Sequence, residues 1–284
     1  MHDETYDAYV PPDMAKRAKA SAVRKANRDI VSAFFLAVQA GTFIAFGAAF
    51  YTHVTHDMTC GVGISSLIGG MVFSLGLILV IIAGADLFTG DTLMVMGCFS
   101  GEIKLRKMFK SWIFVFLGNL AGSLAILMLV HFSGHWLKNG GAVGAKALSI
   151  ANYKVNLTFL QAFSGGMLCN ILVCLAIWLC YSSRSVTDKI LSIIFPITAF
   201  VAMGFEHSIA NMYFIPAGLL LKNNPDIVGL LHGADLSNLN MNVFLVNNLL
   251  PVTVGNMIGG AVFVGTIYWV LYLRKQEPCK GENV

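Results

Sequence analysis

The chain has 284 residues, of which 56% are hydrophobic and only 12% charged, and its formal net charge is +4. Soluble domains carry about 25% charged residues, and the mean hydropathy here is +0.71, so the composition excludes a soluble globular protein. Because the apolar stretches are much longer than the ~10-residue alternating strands of an outer-membrane barrel, we predict an all-α integral membrane protein.

The first 29 residues form a polar, basic arm that we predict to be cytoplasmic. It has no apolar core of the kind that a cleavable signal peptide needs. Pro11, Pro12 and Asp13 indicate a turn followed by a helix start. The apolar face of that helix is thin, which favours a solvated helix over one lying on the membrane, and it consists of Met14, Ala18, Ala22 and Val23. The arm is a candidate gate or seal, or a binding site for a cytoplasmic partner.

Six apolar segments follow within a predicted transmembrane domain, residues 30–274, and a short tail, 275–284, ends the chain. The segments are 31–54, 64–98, 108–132, 155–182, 190–221 and 244–273. A helix crosses a bilayer in about 20 residues, so the second and fifth segments must bend, break or re-enter. Gly84, Asp86, Gly90 and Asp91 interrupt the second segment, and Glu206 and His207 lie midway along the fifth.

Positive residues indicate which side of the membrane faces the cytoplasm. Lys and Arg are concentrated in the arm, in the connections after the second and fourth segments, and in the tail, with few in the other connections. Six segments place both termini on the same side. We therefore predict that both termini are cytoplasmic.

Matching strings relate the two halves of the chain. Gly118-Asn119-Leu120-Ala121-Gly122 resembles Gly255-Asn256-Met257-Ile258-Gly259, and Gly84-Ala85-Asp86 resembles Gly204-Phe205-Glu206. Phe35-Leu36 with Gly41 likewise resembles Phe159-Leu160 with Gly165. A GxxxG string alone indicates close helix packing. In a repeat of three membrane segments, the odd number means that the second copy enters the membrane from the opposite side. Broken helices at matching positions of an inverted repeat point to a permeation site at the membrane midplane.

The fifth segment carries two ionisable residues, Glu206 and His207, at membrane depth. Such residues are costly there and are functional by default, although Glu206 could instead cap loop amides and His207 could satisfy a carbonyl. Broken helices also expose amide groups and a positive dipole end, which suit a small anion. Thr89 supplies a hydroxyl at the first break, and Asn211 lies one turn beyond His207.

The strings Gly84-Ala-Asp-Leu-Phe-Thr-Gly-Asp-Thr92 and Gly204-Phe-Glu-His-Ser-Ile-Ala-Asn-Met212, with Gly255-Asn256, resemble the formate–nitrite transporter family. The similarity extends from Ala15 to Arg274, and both strings are highly specific. Ala85-Asp86 and Phe205 before Glu206 resemble the formate branch rather than the nitrite branch. The resemblance implies an aquaporin-like homopentamer with one pore per protomer and with broken second and fifth helices.

The resemblance also assigns roles to individual residues. It implies a pore centre at Thr89 and His207. A cytoplasmic constriction would lie at Leu77 and Leu87, and a periplasmic one at Phe73 and Phe200. Taken singly, the residues at 73, 77 and 200 are more typical of packing. Further pore-lining or loop-bracing residues would be Asp86, Phe88, Lys154, Asn170, Glu206, Asn211 and Asn256.

We therefore expect a passive or proton-coupled channel for formate and related small monocarboxylate anions in a bacterial cytoplasmic (inner) membrane. Its expected partners are these anions, membrane lipid and copies of itself, without nucleic acid, cofactor or metal. Nitrite or hydrosulfide is the alternative substrate. A neutral-solute channel is disfavoured because the Asn-Pro-Ala string is absent, and an enzyme because neither HExxH nor GxSxG occurs.

Three cysteines of the fourth segment are interpreted as packing residues: Cys169, Cys174 and Cys180.

Overall fold

A computed structural model of the chain describes residues 7–274, and over that range its regular structure is entirely helical. The helices are α1 (Pro11–Ala26), α2 (Ile30–Thr55), α3 (Val62–Ala83), α4 (88–99), α5 (Leu105–Phe132), α6 (Ala142–Val155), α7 (Phe159–Ser182), α8 (Val186–Ala202), α9 (Ser208–Leu221), α10 (Pro225–Gly229) and α11 (Met241–Tyr272). The middle of α4 is a 3₁₀ turn, Thr92–Met94, and α11 contains two π-helical turns, Phe244–Leu249 and Ala261–Thr266.

Within residues 7–274, five helices are long and apolar enough to cross a membrane, namely α2, α3, α5, α7 and α11. The fifth apolar segment is instead divided between α8, which has 17 residues, and α9, which has 14. Helical structure also stops at Ala83 and resumes at Phe88. The expected interruption at Gly90 and Asp91 is wrong, because both residues are helical.

The start of the fourth segment differs from the prediction. Helix α7 begins at Phe159 because Thr158 and Gln161 form a capping box, which satisfies free amides of the first turn. Val155 instead ends α6, a helix that the apolar pattern did not reveal. Lys146 and Lys154 interrupt the hydrophobic run of α6, which therefore resembles a connection in the sequence.

Helix α1 is docked on the membrane domain, so the expectation of a solvated arm helix is wrong. It packs against the last turns of α4, α7 and α11, where Met14 contacts a cluster that includes Met96 and Trp178. Four small side chains on the same face allow close approach, and all are buried: Ala15, Ala18, Ala22 and Ala26. Alanine contributes little hydropathy, so a thin apolar face can still pack tightly.

Glycines bring the helix backbones into direct contact between α2 and α5 and between α7 and α11. Gly118 and Gly122 place α5 against α2, and Gly255 and Gly259 place α11 against α7 in the same way. These glycines belong to the matched strings, so the predicted close packing is confirmed by the structure.

Replacing Gly122 with Ala should lower the apparent melting temperature of the purified protein. The added Cβ would lie 1.9 Å from the carbonyl oxygen of Val38, which forces α2 and α5 apart, and overpacking of this kind costs about 1–3 kcal/mol. Gly63 is the matched control because nothing lies within 4 Å of its Cβ position. Equal melting temperatures for Gly122→Ala and Gly63→Ala would contradict this account.

Candidate functional site

The first break, residues 84–87, is held by the side chain of Asn119. Gly84 ends α3 in the left-handed conformation, with φ +84°, which glycine adopts without steric cost. The amide Oδ1 of Asn119 accepts from Phe88 N at 2.9 Å, and its Nδ2 donates to Asp86 O and Ala37 O at 3.0 and 2.7 Å. One side chain therefore ties the break to α2.

The second break, residues 203–207, is held in the same way by Asn256. Its Oδ1 accepts from Ser208 N at 2.9 Å, and its Nδ2 donates to Glu206 O and Gly166 O at 3.0 and 2.7 Å. Gly204 again has positive φ, +70°. The shared pattern supports the predicted relation between the two halves.

The backbone bonds of the two breaks correct one part of the predicted repeat. Asp86 N donates to Leu36 O, and Glu206 N donates to Gly165 O. Leu36 of α2 therefore occupies the position that Gly165 occupies in α7. The sequence match of Phe35-Leu36 and Gly41 with Phe159-Leu160 and Gly165 is therefore out of register. Gly41 packs against Asn119 instead.

Thr89 and His207 bring the two breaks together in the buried interior. Thr89 Oγ1 lies 2.9 Å from His207 Nε2, and both residues are almost fully buried. His207 is also the N-cap of α9, because its Nδ1 accepts from Ala210 N at 3.1 Å. That bond requires a lone pair on Nδ1, so the neutral ring carries its proton on Nε2. The imidazole can therefore donate a hydrogen bond toward Thr89 or toward an anion without carrying a charge.

Glu206 belongs to a buried network. Its Oε1 accepts from Lys154 Nζ at 2.7 Å, and its Oε2 accepts from Asn211 Nδ2 at 2.7 Å. Asn248 bridges the network by accepting from Asn211 and donating to Lys154 O. Within the described range, the Glu206 carboxylate accepts from no loop amide, so the amide-capping alternative for this residue is wrong. A lysine partner and amide donors are what a buried carboxylate needs.

An aromatic cavity of about 300 Å³ lies on one side of His207. The rings of Phe73 and Phe200 meet edge to face with centroids 5.8 Å apart, and the ring of Phe200 lies 6.0 Å from that of His207. Lys154 and Glu206 also line this cavity. The predicted constriction phenylalanines are therefore brought together next to the buried polar pair.

A second cavity of about 500 Å³ opens beneath α1 and reaches Leu87. Arg28 pairs with Asp86, and Lys25 Nζ lies 2.5 Å from Asp91 Oδ1 and 3.3 Å from Asp86 Oδ1. Burial lowers the pKa of Lys25, but Asp91 and Asp86 more than offset this effect and hold the pKa above its ordinary value. These ion pairs fix the end of α1 to the first break.

Leu77 and Thr89 belong to the lining of neither cavity, and both are buried. Two further predicted residues, Phe88 and Asn170, pack beside the breaks. Phe88 packs its ring on Phe116, with centroids 5.0 Å apart, and Asn170 Nδ2 donates to Thr89 O and Asn256 O at 3.1 and 2.6 Å. Asn170 thereby links Thr89 of α4 to Asn256 of α11.

Sequence reasoning missed three residues of this site. Asn119 was signalled by the string that it shares with Asn256, and Asn248 by its polar side chain in an apolar segment. Phe214, whose ring stacks 6.5 Å from that of Phe73 in the aromatic cavity, gave no signal because an apolar helix contains many such residues.

Within residues 7–274, no group of three or more His, Cys, Asp or Glu side chains could hold a metal ion. Cys169, Cys174 and Cys180 are buried in the hydrophobic core. Their position agrees with the predicted packing role.

The sequence matches the formate/nitrite transporter family over residues 12–270. The formate channel FocA of Escherichia coli K12 is 42% identical over 280 residues, which cover 97% of this chain and 98% of that protein. FocA of Haemophilus influenzae is 40% identical over 265 residues, covering 91% of this chain and 93% of that protein.

Two solved structures share the fold. A pentameric formate channel with formate bound has a TM-score of 0.77 at 41% identity and covers 86% of this chain and 98% of its own. An FNT family ion channel has a TM-score of 0.79 at 30% identity and covers 91% of this chain and 98% of its own. These relatives are channels rather than enzymes, which confirms the expectation that this chain is not an enzyme. The chain belongs to the formate/nitrite transporter family.

Proposed function

We propose that this protein is a channel that conducts formate and related small monocarboxylate anions through one pore in each protomer. The observation that carries the proposal is the buried pair of Thr89 Oγ1 and His207 Nε2, 2.9 Å apart, with His207 at the wall of the aromatic cavity. The formate channels among its relatives support formate as the substrate.

The polar pair offers a desolvated anion hydrogen bonds in an otherwise apolar path. Transfer of an unpaired carboxylate into an apolar medium is very unfavourable, so a donor between the two constrictions lowers the barrier. Glu206 repels the anion less than an isolated carboxylate would, because Lys154 neutralises it at 2.7 Å. Thr89 and His207 form the pore centre, and Leu77 with Leu87 and Phe73 with Phe200 form the constrictions on either side.

The test is uptake of labelled formate by proteoliposomes, with the external and internal pH varied independently. Saturable or conductive formate uptake without chemical conversion is expected, and a proton requirement would distinguish symport from diffusion. Uptake of water or glycerol without formate would support the neutral-solute alternative and overturn the proposal. Nitrite and hydrosulfide are the competing anions to measure in parallel.

The assembly is proposed to be a homopentamer in the bacterial cytoplasmic membrane, a proposal that the pentameric formate channel among the solved relatives supports. The arm and the tail lie in the cytoplasm, where the arm remains a predicted partner site. Cysteines introduced beside Arg184 should be labelled only from the cytoplasm, and those beside Lys154 only from the periplasm. Labelling from the reverse sides would overturn this orientation.

Replacing Leu87 with Ala should relax the size selectivity of the channel. Leu87 is buried at the floor of the cavity beneath α1, and an apolar constriction is crossed only by a small or dehydrated ion. Acetate and lactate uptake should rise relative to formate uptake, and Leu77→Ala should act in the same direction. Ile113 is a surface control, since it is exposed on α5. Unchanged selectivity in both leucine variants would remove them from the constriction.

A further inference from the structure

The cavity beneath α1 is lined by five positively charged side chains and one carboxylate. We call it the basic vestibule, and its charged lining consists of Arg17, Arg24, Lys25, Arg28, Lys189 and Asp86. Its volume of about 500 Å³ is within the usual range of small-molecule sites, roughly 300–1,000 Å³.

The arm supplies most of this charge. Arg17 and Arg24 lie two turns apart on α1 with the Ser21 hydroxyl between them, so they share one face, and Arg28 lies in the turn just after the helix. Lys189 enters from α8. The cations therefore converge on one space instead of pointing outward around the helix.

Two of the five cations are neutralised within the fold. Lys25 and Arg28 pair with Asp86 and Asp91. Arg17 donates to Tyr181 O at 2.8 Å and lies 4.1 Å from the ring centroid of Tyr9, and neither contact cancels its charge. Among residues 7–274, no carboxylate lies within ion-pair distance of Arg17, Arg24 or Lys189.

We propose that the basic vestibule binds a small oxyanion with two or more negative charges, such as a phosphate ester or a polycarboxylate, and that the bound anion blocks the path to Leu87. Coulombic attraction grows with each ligand charge. Arginine side chains also match phosphate and carboxylate groups with paired hydrogen bonds. Binding of the anion does not depend on the proposed formate transport, whereas blocking of the pore by the bound anion rests on it.

Binding is measured by titrating the full-length protein in detergent with inorganic pyrophosphate, citrate and formate, at constant ionic strength. Pyrophosphate and citrate should bind saturably and much more tightly than formate. Replacing Arg24 and Lys189 together with Gln should raise the dissociation constant by about fivefold for each cation removed. The matched control is Lys16→Gln with Lys104→Gln, which removes the same charge from exposed positions outside the vestibule.

If the two double variants bound pyrophosphate and citrate with equally weakened affinity, the site would be overturned, because the loss of affinity would then reflect net charge alone. Absence of saturable binding to the wild-type chain would do the same. In proteoliposomes, citrate on the α1 side should inhibit formate uptake, and Arg24→Gln with Lys189→Gln should relieve that inhibition. Failure of formate transport without added citrate would contradict the proposed function while leaving the binding result intact. Binding without inhibition would overturn the blocking step.

Discussion

Replacing His207 with Phe is expected to reduce formate flux by about 10- to 100-fold, the loss that removal of a charge-assisted hydrogen bond of about 1.5–3 kcal/mol produces. Phenylalanine keeps the ring in contact with Phe200 but removes the Nε2 donor that faces Thr89 Oγ1 at 2.9 Å. It also removes the acceptor for Ala210 N. Flux should be measured on variant protein that elutes as the wild-type oligomer.

His207→Asn separates hydrogen bonding from titration. Asparagine is a good N-cap and retains an amide donor, so part of the formate flux should survive. It does not titrate, and any pH dependence that comes from His207 should disappear. A second proton on the wild-type ring would occupy Nδ1 and break the bond from Ala210 N, which works against charging the ring. His207 would be a structural residue only if His207→Phe had the formate flux of the wild type. The same conclusion would follow if His207→Asn and the wild type had identical pH profiles of flux.

Replacing Asn256 with Ala should destabilise the folded protein by at least about 3 kcal/mol, because three buried backbone groups lose a partner and each costs about 1–3 kcal/mol. The groups are Ser208 N, Glu206 O and Gly166 O. Loss of these bonds frees the second break from α7 and misplaces His207. Thermal unfolding in detergent and recovery of the intact oligomer measure the effect.

Asn119→Ala should have a similar cost, since its three hydrogen bonds repeat the pattern at the first break. The control is Asn152→Ala, which removes two exposed hydrogen bonds, one donated to Asp235 O and one accepted from Asn156 Nδ2, and should change stability by less than about 1 kcal/mol. If Asn256→Ala and Asn152→Ala had the same melting temperature, the breaks would be held by other contacts.

Local sequence features predicted the helices of the membrane domain well. Long apolar runs define α2, α5 and α11 because membrane-spanning helices must satisfy every backbone group internally. Glycines at 84 and 204 indicated where the helices stop, since each adopts positive φ there. Hydropathy does not register side-chain capping, so the start of α7 at the Thr158 cap was missed. It also missed α6, whose hydrophobic run is interrupted by lysines.

The position of the arm could not be read from its composition. Its alanines are buried only because the ends of α4, α7 and α11 form a complementary surface. The same contact directs Arg17, Arg24 and Arg28 into one cavity. Which face of a helix is buried, and where its side chains point, depends on the elements packed against it. For α1 these elements lie far away in the chain.

The sequence by itself determined the membrane class, the long apolar helices, and the glycines and ionisable residues at the two interruptions. Only the tertiary structure decided that Thr89 and His207 meet, that Asn119 and Asn256 hold the breaks, and that position 36 rather than position 41 corresponds to position 165. The physical reason is that segment identity follows from local hydropathy and backbone conformation, whereas each of these contacts joins residues far apart in the chain. Such contacts depend on how the helices pack through their glycines, and packing is set by the whole structure at once.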